Sequence, residues 1–573
     1  MTDLKTFPHY TVEYEDRTVQ DVFIPEELPL HRPLFLIMAE KGKVGVPVWG
    51  DYTDMKAEFG EATFDKYSAF FKHSTLFAKE AMKYQKVFCV RVADADASAA
   101  TLVLEAQVTV NADIPQYEKD GDGFRQVDVN GDWIPSEDPP GTPVTETGIE
   151  IVWVARALAE GETVATLAPT SDGDTTSYPI LALEVDSPGA RANYYGIKMW
   201  FDHGELDTDL VTDLGAMMFN FAAVQQPYGY DTTVPIRDFY NNTSVEFMFK
   251  PDQVNPSTDE RISFDDVMLN NYDDDLPFTP TVFADNIKTI GDLIVTLDAV
   301  HSPELVDGWM ANPMTGRNSL GQYYDHVLVN TTGVEGATIM DEDVIQYMTG
   351  GADGLTDDTT FDGLVKIWFD PATFPDITDE ARYPITHMYD SGYTLDTKKA
   401  MIDFFGVRPD VKVVASTQDA ANDPNTKAED QSTGSALRAQ MLLHPASTVY
   451  GTQAFRGTII QQCGRLVSSI DAPSSDVVPL VFDCLQKKCK YQGSIRFKGK
   501  PKGLPNSAVT AFATVNWLPN SDDHKQLSWD TGLNYLQHYD MTSWHYPDVK
   551  SVYPIDQSTM SDDILADQLV YLY

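Results

Sequence analysis

Cysteine is scarce in this chain, four among 573 residues, and no two of the four form a CxxC pair. Zinc ligation depends on ligand spacing, so no zinc site is expected, and the free thiols imply a reducing compartment. Long apolar runs are lacking as well. None approaches the 18 residues or so that a membrane span needs. The opening Met-Thr-Asp-Leu-Lys-Thr-Phe-Pro has no basic n-region ahead of an apolar segment, so no signal peptide is expected. Basic side chains are few: 41 against 87 acidic ones, a net charge of -46. Such a surface repels polyanions, which argues against nucleic acid or an anionic bilayer as partner. It suits a protein kept soluble at high copy number, and equally a solvated acidic surface with no special role. Catalytic signatures are missing too. There is no GxSxG, HExxH or phosphate loop, and the 11 histidines are scattered. His538 and His545 flank Trp544 without a partner at defined spacing. With so many acids, pairs such as Asp357–Asp358 nominate no glycosidase. The expectation is a protein that is not an enzyme and holds no metal or cofactor.

What is present is organised around residues 34–100. Leu34 to Ala39 is an apolar run short enough for a buried strand. A two-turn helix follows over Tyr52–Gly60, with Thr53 as its cap and Gly60 as a left-handed stop. The spacing of Tyr67, Phe70, Phe71, Phe77, Ala78, Ala81 and Met82 predicts one long helix from about Phe64 to Tyr84. Lys86 to Val92 then returns as a strand beside the first.

Ahead of this unit, residues 1–24 read as an extended arm: Tyr10, Val12 and Tyr14 share one side, and Val19 and Val22 continue it. Pro25, Pro29 and Pro33 exclude helix and mark a linker. Strand addition to another subunit would satisfy such an arm; folding back on its own sheet is the alternative.

Residues 101–185 change to short alternating runs between Gly, Pro and Asp turns, which predicts a small β-barrel or sandwich. Glu118, Asp120 and Asp122 start like an EF-hand loop, but Val129 stands where the bidentate Glu belongs, so acidic β-turns are the better account. Strands are expected at Val245–Phe249 and Leu364–Phe369, and helices over Asp285–Val300 and Asp396–Phe405. Val411–Ala415 is expected as a strand sharing one mixed sheet with the opening unit. Gln418–Thr433 is polar and aperiodic and reads as a loop or boundary. Beyond it, helices are predicted over Phe455–Val467 and Ser475–Lys488. The chain closes with Asp562 to Tyr573, whose Ile564, Leu565, Leu569, Val570, Tyr571 and Leu572 need cover, either from a neighbour or from their own domain.

Several segments together resemble the contractile tail sheath proteins of myovirus-type bacteriophages. They are the Phe-Gly ending at Gly60 and the Val-Arg-Val strand running into alanines; Ser187-Pro188-Gly189 with its Asn and outgoing strand; and Gly350-Gly351-Ala-Asp353-Gly354. The resemblance extends over 34–100, 186–200, 347–415 and parts of 434–573, and omits 101–185. The Arg-Gly-Val-x-x-Ala-Pro sequence of the family is present only as Phe455-Arg-Gly-Thr-Ile-Ile460, so the last part diverges.

The resemblance implies a mixed α/β multidomain chain. Its parts would be an arm (1–24), an α/β body (25–100 plus 331–433), a β-rich insertion (101–185), a second insertion or body domain (186–330), a tube-facing assembly domain (434–560) and a second arm (561–573). It implies self-assembly into hexameric rings and a helical stack, with tail tube, baseplate and tail terminator proteins as partners, no nucleic acid and no membrane. It places the protein in the virion tail after synthesis in the cytoplasm of a bacterial host. Lys487, Lys488, Lys490, Arg496, Lys498, Lys500 and Lys502 hold seven of the 41 basic residues. They read as a patch that docks on an acidic tube or neighbour; a nucleic-acid reading would stack bases on Tyr491 and Phe497. Other self-assembling virion or surface-array proteins, capsid or S-layer, remain the alternative, with a carbohydrate-active protein further off.

Overall fold

The structure, a computed structural model, describes residues 31–115, 117–120, 123–126, 145–159, 161–163, 166–201, 217–225, 242–249, 289–290, 293–298, 346–370, 372, 379, 381–406, 408, 410–420, 423–443, 457–467, 477–492, 509–519, 531–538, 544–546, 549 and 552. It is a mixed α/β chain that divides into two compact units, Met1–Ala95 with Leu355–Tyr573, and Asp96–Gly354.

The first unit is built on a seven-stranded sheet. Its strands are β1 (Pro33–Ile37), β2 (Pro47–Gly50), β3 (Val87–Arg91), β4 (His387–Tyr389), β5 (Lys412–Ser416), β6 (Thr458–Ile460) and β7 (Leu533–Asn534). The spatial order is β2-β3-β1-β4-β5-β6-β7. Every neighbouring pair is parallel except β2 with β3. β1 is an unbroken apolar run and β3 and β5 are apolar through their middles, because helices cover both faces. On one face Leu34, Leu36 and Val413 meet α3 (Asp358–Trp368), α4 (Leu395–Gly406) and α5 (Lys427–Leu443). On the other, Phe35, Ile37 and Val414 meet α1 (Tyr52–Phe59), α2 (His73–Met82) and α6 (Val481–Gln492). Each fully buried Phe or Leu contributes about 1.5–3 kcal/mol by leaving water.

The opening strand, its parallel return, the Asp396–Phe405 helix, the strand after it and the shared mixed sheet are as expected. The sheet also runs on past residue 434, taking β6 and β7 from the C-terminal part.

Local chemistry explains the differences. α1 is capped by Asp51, not Thr53. Asp51 Oδ1 accepts from the Thr53 and Asp54 amides at 2.8 and 3.1 Å, and Asp54 Oδ2 accepts from the Asp51 amide at 3.0 Å. Gly60 does stop the helix at positive φ (89°), but with ψ at 162° it is in an extended, glycine-only conformation. A Cβ there would fall inside the Glu40 carboxyl group. The long helix expected over 64–84 begins only at His73. Asp65 turns the chain by accepting from the Tyr67 amide at 3.0 Å, and Tyr67 is 81% exposed. Phe70 packs on one side of the sheet and Phe77 on the other, so their spacing does not belong to one helix face.

Residues 364–369 lie mostly in α3, not in a strand. Asp357 caps this helix, and Phe361, Val365 and Trp368 form its buried side. Much of the 418–433 segment, expected as a loop, is α5, which starts from a reciprocal Thr426–Glu429 cap. Its buried side is broken by Asp430, which hides it from an apolar count. Strands Thr458–Ile460 and Cys463–Leu466 replace the helix expected over 455–467. Val478–Pro479 is a strand ahead of α6.

The second unit is β-rich, as expected for 101–185. Its largest sheet runs Thr289–Ile290, Leu293–Asp298, Thr175–Val185, Thr101–Pro115, Thr145–Arg156, with Thr170–Asp172 added beside Thr175–Val185. This sheet takes Leu293–Asp298 from beyond residue 185, in place of the amphipathic helix expected over 285–300. Tyr117–Asp120 and Gly123–Gln126 pair as an antiparallel hairpin, and the two residues between them lie outside the described residues. A second sheet orders Asn242–Phe249, Met217–Gln225, Tyr195–Phe201 and Gln346–Tyr347. The expected strand at 245–249 lies within it.

Candidate functional site

Within the second unit, three segments that carry the sheath resemblance meet in one hydrogen-bonded knot. They are the alanine-rich end of the opening stretch at Ser98, the Ser187-Pro188-Gly189 turn, and the Gly350–Gly354 turn. Ser98 and Ala352 exchange backbone bonds of 2.9 and 3.0 Å, and the Gly189 amide donates to the Ser98 carbonyl at 3.0 Å. The Ser98 hydroxyl donates to the Gly350 carbonyl at 2.6 Å. Asn193 closes the third side: its Nδ2 donates to the Gly351 carbonyl at 2.8 Å and its Oδ1 accepts from the Gly351 amide at 2.9 Å. Asp353 Oδ1 accepts from the Ala190 amide at 2.9 Å, so this carboxylate bridges two turns.

Glycine is needed here for two reasons. Gly350, Gly354 and Gly189 have φ of 83°, 67° and 147°, a region that side chains avoid. Gly351 is a matter of space, because a Cβ would lie 2.6 Å from the Gly189 carbonyl oxygen and 3.1 Å from Ala100 Cβ. Pro188 is half-buried beside them.

The first unit has a different constellation. Ligands of α/β sheets commonly sit outside the carboxyl ends of the strands. In this protein its own side chains fill that edge. Asp390, just past β4, accepts through Oδ1 from the Gly392 and Tyr393 amides (2.8 and 2.9 Å) and through Oδ2 from Lys398 Nζ and the Ser416 amide (2.7 and 2.8 Å). Lys398 Nζ also donates to the Gln418 carbonyl at 2.9 Å. Asp430 on α5 accepts from Thr417 Oγ1, Asn425 Nδ2, the Gln462 amide and Trp517 Nε1 at 2.7, 2.9, 3.1 and 2.6 Å. Two fully buried carboxylates with four donors each lock the ends of β4, β5 and β6 together, a structural use of polar groups. Sequence reasoning misses their role because the partners are scattered along the chain; only the Asp-Ser-Gly after a strand hints at it.

The proposed basic patch divides. Lys487 and Lys488 are buried on α6, and Lys487 pairs with Asp483 and lies 5.2 Å from the Tyr546 ring centroid. These two lysines are therefore removed from a docking face by the turn of the helix. Lys490 is exposed. Arg496, Lys498, Lys500 and Lys502 lie outside the described residues, as do all the arm residues: Tyr10, Val12, Tyr14, Val19, Val22, Ile564, Leu565, Leu569, Val570, Tyr571 and Leu572. Burial pushes the Asp483 carboxyl up, against the opposing pull of Lys487. Burial also pushes the Cys463 thiol up to about 12 and raises Cys89 and Cys489, so these buried thiols stay protonated and unreactive. Among the described residues no group of three or more His, Cys, Asp or Glu is arranged to hold a metal ion, and no helix is long and apolar enough to cross a membrane.

Comparison with known proteins falls on the same region. Residues 147–354 match the family described as Bacteriophage phiKZ, gp29PR; the match lies inside the second unit and ends on Gly354, the last residue of the knot. The chain is also similar to two crystal structures of sheath tail proteins. That from Desulfitobacterium hafniense shares 7% identity at a TM-score of 0.38, over 96% of this chain and 79% of that one. That from Listeria innocua shares 8% at 0.40, over 96% and 77%. No curated protein matches the chain.

Proposed function

We propose that this chain is the sheath subunit of a contractile phage tail. The observation that carries the proposal is the knot. Three separate sheath-like segments are brought together by it, and the bacteriophage family match runs to its final glycine. The Ser98, Asn193 and Asp353 side chains of this junction bond to backbone groups of the neighbouring turns, which holds the chain in a fixed path, as a structural subunit requires. The buried, fully bonded carboxyl edge of the first unit favours the same reading.

In this proposal the subunits form hexameric rings stacked around a tail tube, between baseplate and terminator proteins. The body is the α/β unit, residues 101–185 are an insertion, and 1–24 and 561–573 are arms that add strands to neighbouring copies. Contacts repeated over many copies accumulate through avidity, and the remaining basic residues, Lys490, Arg496, Lys498, Lys500 and Lys502, face the tube. The extended lattice is kinetically trapped, and near-rigid subunits rotate outward on triggering to drive the tube through the host envelope. Negative-stain microscopy of the purified protein is the test. Tubes of stacked rings are expected; closed shells or flat arrays would assign the chain to a capsid or surface layer instead, and a persistent monomer with affinity for glycans would replace the structural reading.

A further inference from the structure

At the amino ends of β1 and β4 lies a buried group of side chains that the sheath reading leaves unused. His31, His387 and Tyr389 are fully buried and Cys489 is 1% exposed. His31 Nε2 is 2.7 Å from Tyr389 Oη, and His31 Nδ1 is 2.9 Å from Gln85 Nε2 and 3.7 Å from Cys489 Sγ. The His31 and His387 rings meet edge to face with centroids 4.4 Å apart. With an amide nitrogen aimed at it, Nδ1 accepts, so Nε2–H donates to Tyr389 and the ring is neutral. Gln85 Oε1 is buried with no hydrogen-bond partner. The next residue fixes the backbone at the same place. The Arg32 amide donates to Thr386 Oγ1 at 2.8 Å, and its carbonyl accepts from the Thr386 and His387 amides at 3.0 and 3.4 Å. Thr386 Oγ1 is also 2.9 Å from His387 Nδ1.

We propose that His31, His387, Tyr389 and Gln85 form a proton-operated clasp that holds residues 31–32 against residues 386–389 and opens when His31 takes up a proton from solvent. The new proton sits on Nδ1 and turns an acceptor into a donor that faces the donors of the Gln85 amide. The bond is lost unless the amide turns over to present Oε1. The charge also lies against the His387 ring at a fully buried position, and a buried charge is relieved by admitting solvent. Facing the ring are His387 and Tyr389 from β4, Gln85 from the turn before β3, and Cys489 from α6. Glu80 of α2 and Lys488 of α6 act on the Cys489 thiol beside it, and Arg32 follows on the same segment. What opens is the join between residues 31–32 and residues 386–389.

Hydrogen exchange of the full-length protein tests this, read by mass spectrometry on peptides spanning 31–37 and 384–389 and corrected for intrinsic pH dependence. Between about pH 7.5 and about pH 5.5, across the ordinary histidine range, exchange there should accelerate by about tenfold while the 412–416 peptide stays protected. His31→Gln keeps a donor toward Tyr389 but cannot be charged, and should make the two peptides insensitive to pH. Gln85→Glu supplies a carboxylate to the charged ring and should keep them protected at the lower pH, which decides the matter if His31→Gln does not fold. Equal protection at both pH values in the parent protein, or an unchanged acceleration in either variant, overturns the proposal. The readout needs no polymer, so it stands or falls separately from the sheath reading.

Discussion

Gly351 has room for a hydrogen and nothing larger. Because its nearest obstacle is the Gly189 backbone oxygen at 2.6 Å, no side chain can swing away to make space. Gly351→Ala should therefore destabilise the second unit by about 1–3 kcal/mol, as overpacking does. Gly363, in the middle of α3, has nothing within 4 Å of where an added methyl would sit, so Gly363→Ala should stabilise the first unit by about 0.5–1 kcal/mol. Urea titration of the two variants checks both signs. A second residue-level prediction concerns pH. Arg156 beside Glu162 holds that carboxyl below the usual range. A lowered value means that the pair's contribution is present above the unfolded value of about 4.5 and is lost as pH falls through the folded one. Glu162→Gln should cost about 0.5–1 kcal/mol near neutrality, for a pair only partly shielded from solvent, and almost nothing once the pH is below both values. An equal loss at both pH values in urea melts would contradict the ion-pair account.

At the scale of elements, the strands with continuous apolar runs were legible in the sequence. Leu34–Ala39 is apolar throughout and short enough for a buried strand, Val411–Ala415 is apolar but for Lys412, and the Phe404–Phe405 pair before Gly406 marked α4. Elements whose buried side is short or polar were not. α5 buries Asp430, Gly434, Leu437 and Met441, a set with only two large apolar members. α3 reads as a strand in the sequence because Val365, Lys366, Ile367 and Trp368 do not favour either period by themselves. The deciding signal is Asp357 capping a run with Phe361, Val365 and Trp368 inward. The assignment makes opposite demands on neighbouring positions. Val365→Ala, at a fully buried site, should cost about 1–3 kcal/mol, whereas Ile367→Lys, at a site 59% exposed, should stay within about 0.5 kcal/mol. Thermal melts that reversed that order would contradict the helix. Of the candidate site, the glycines were legible because turn chemistry is local; the roles of Ser98, Asn193 and Asp353 were not, since their partners lie more than a hundred residues away.

For the whole molecule, the chain leaves the first unit after Ala95 and returns at Leu355, and the first unit's sheet is completed by strands from both ends of the sequence. The proposal adds that the chain's outermost residues complete sheets in other copies. Removing Leu565–Tyr573 should then leave soluble, folded subunits that do not polymerise. Electron microscopy of the purified full-length protein beside this truncation is the most direct measurement. The account predicts tubes of stacked rings from the full-length chain and dispersed single subunits from the truncated one. Tubes from both, or dispersed subunits from both under every assembly condition, would contradict it.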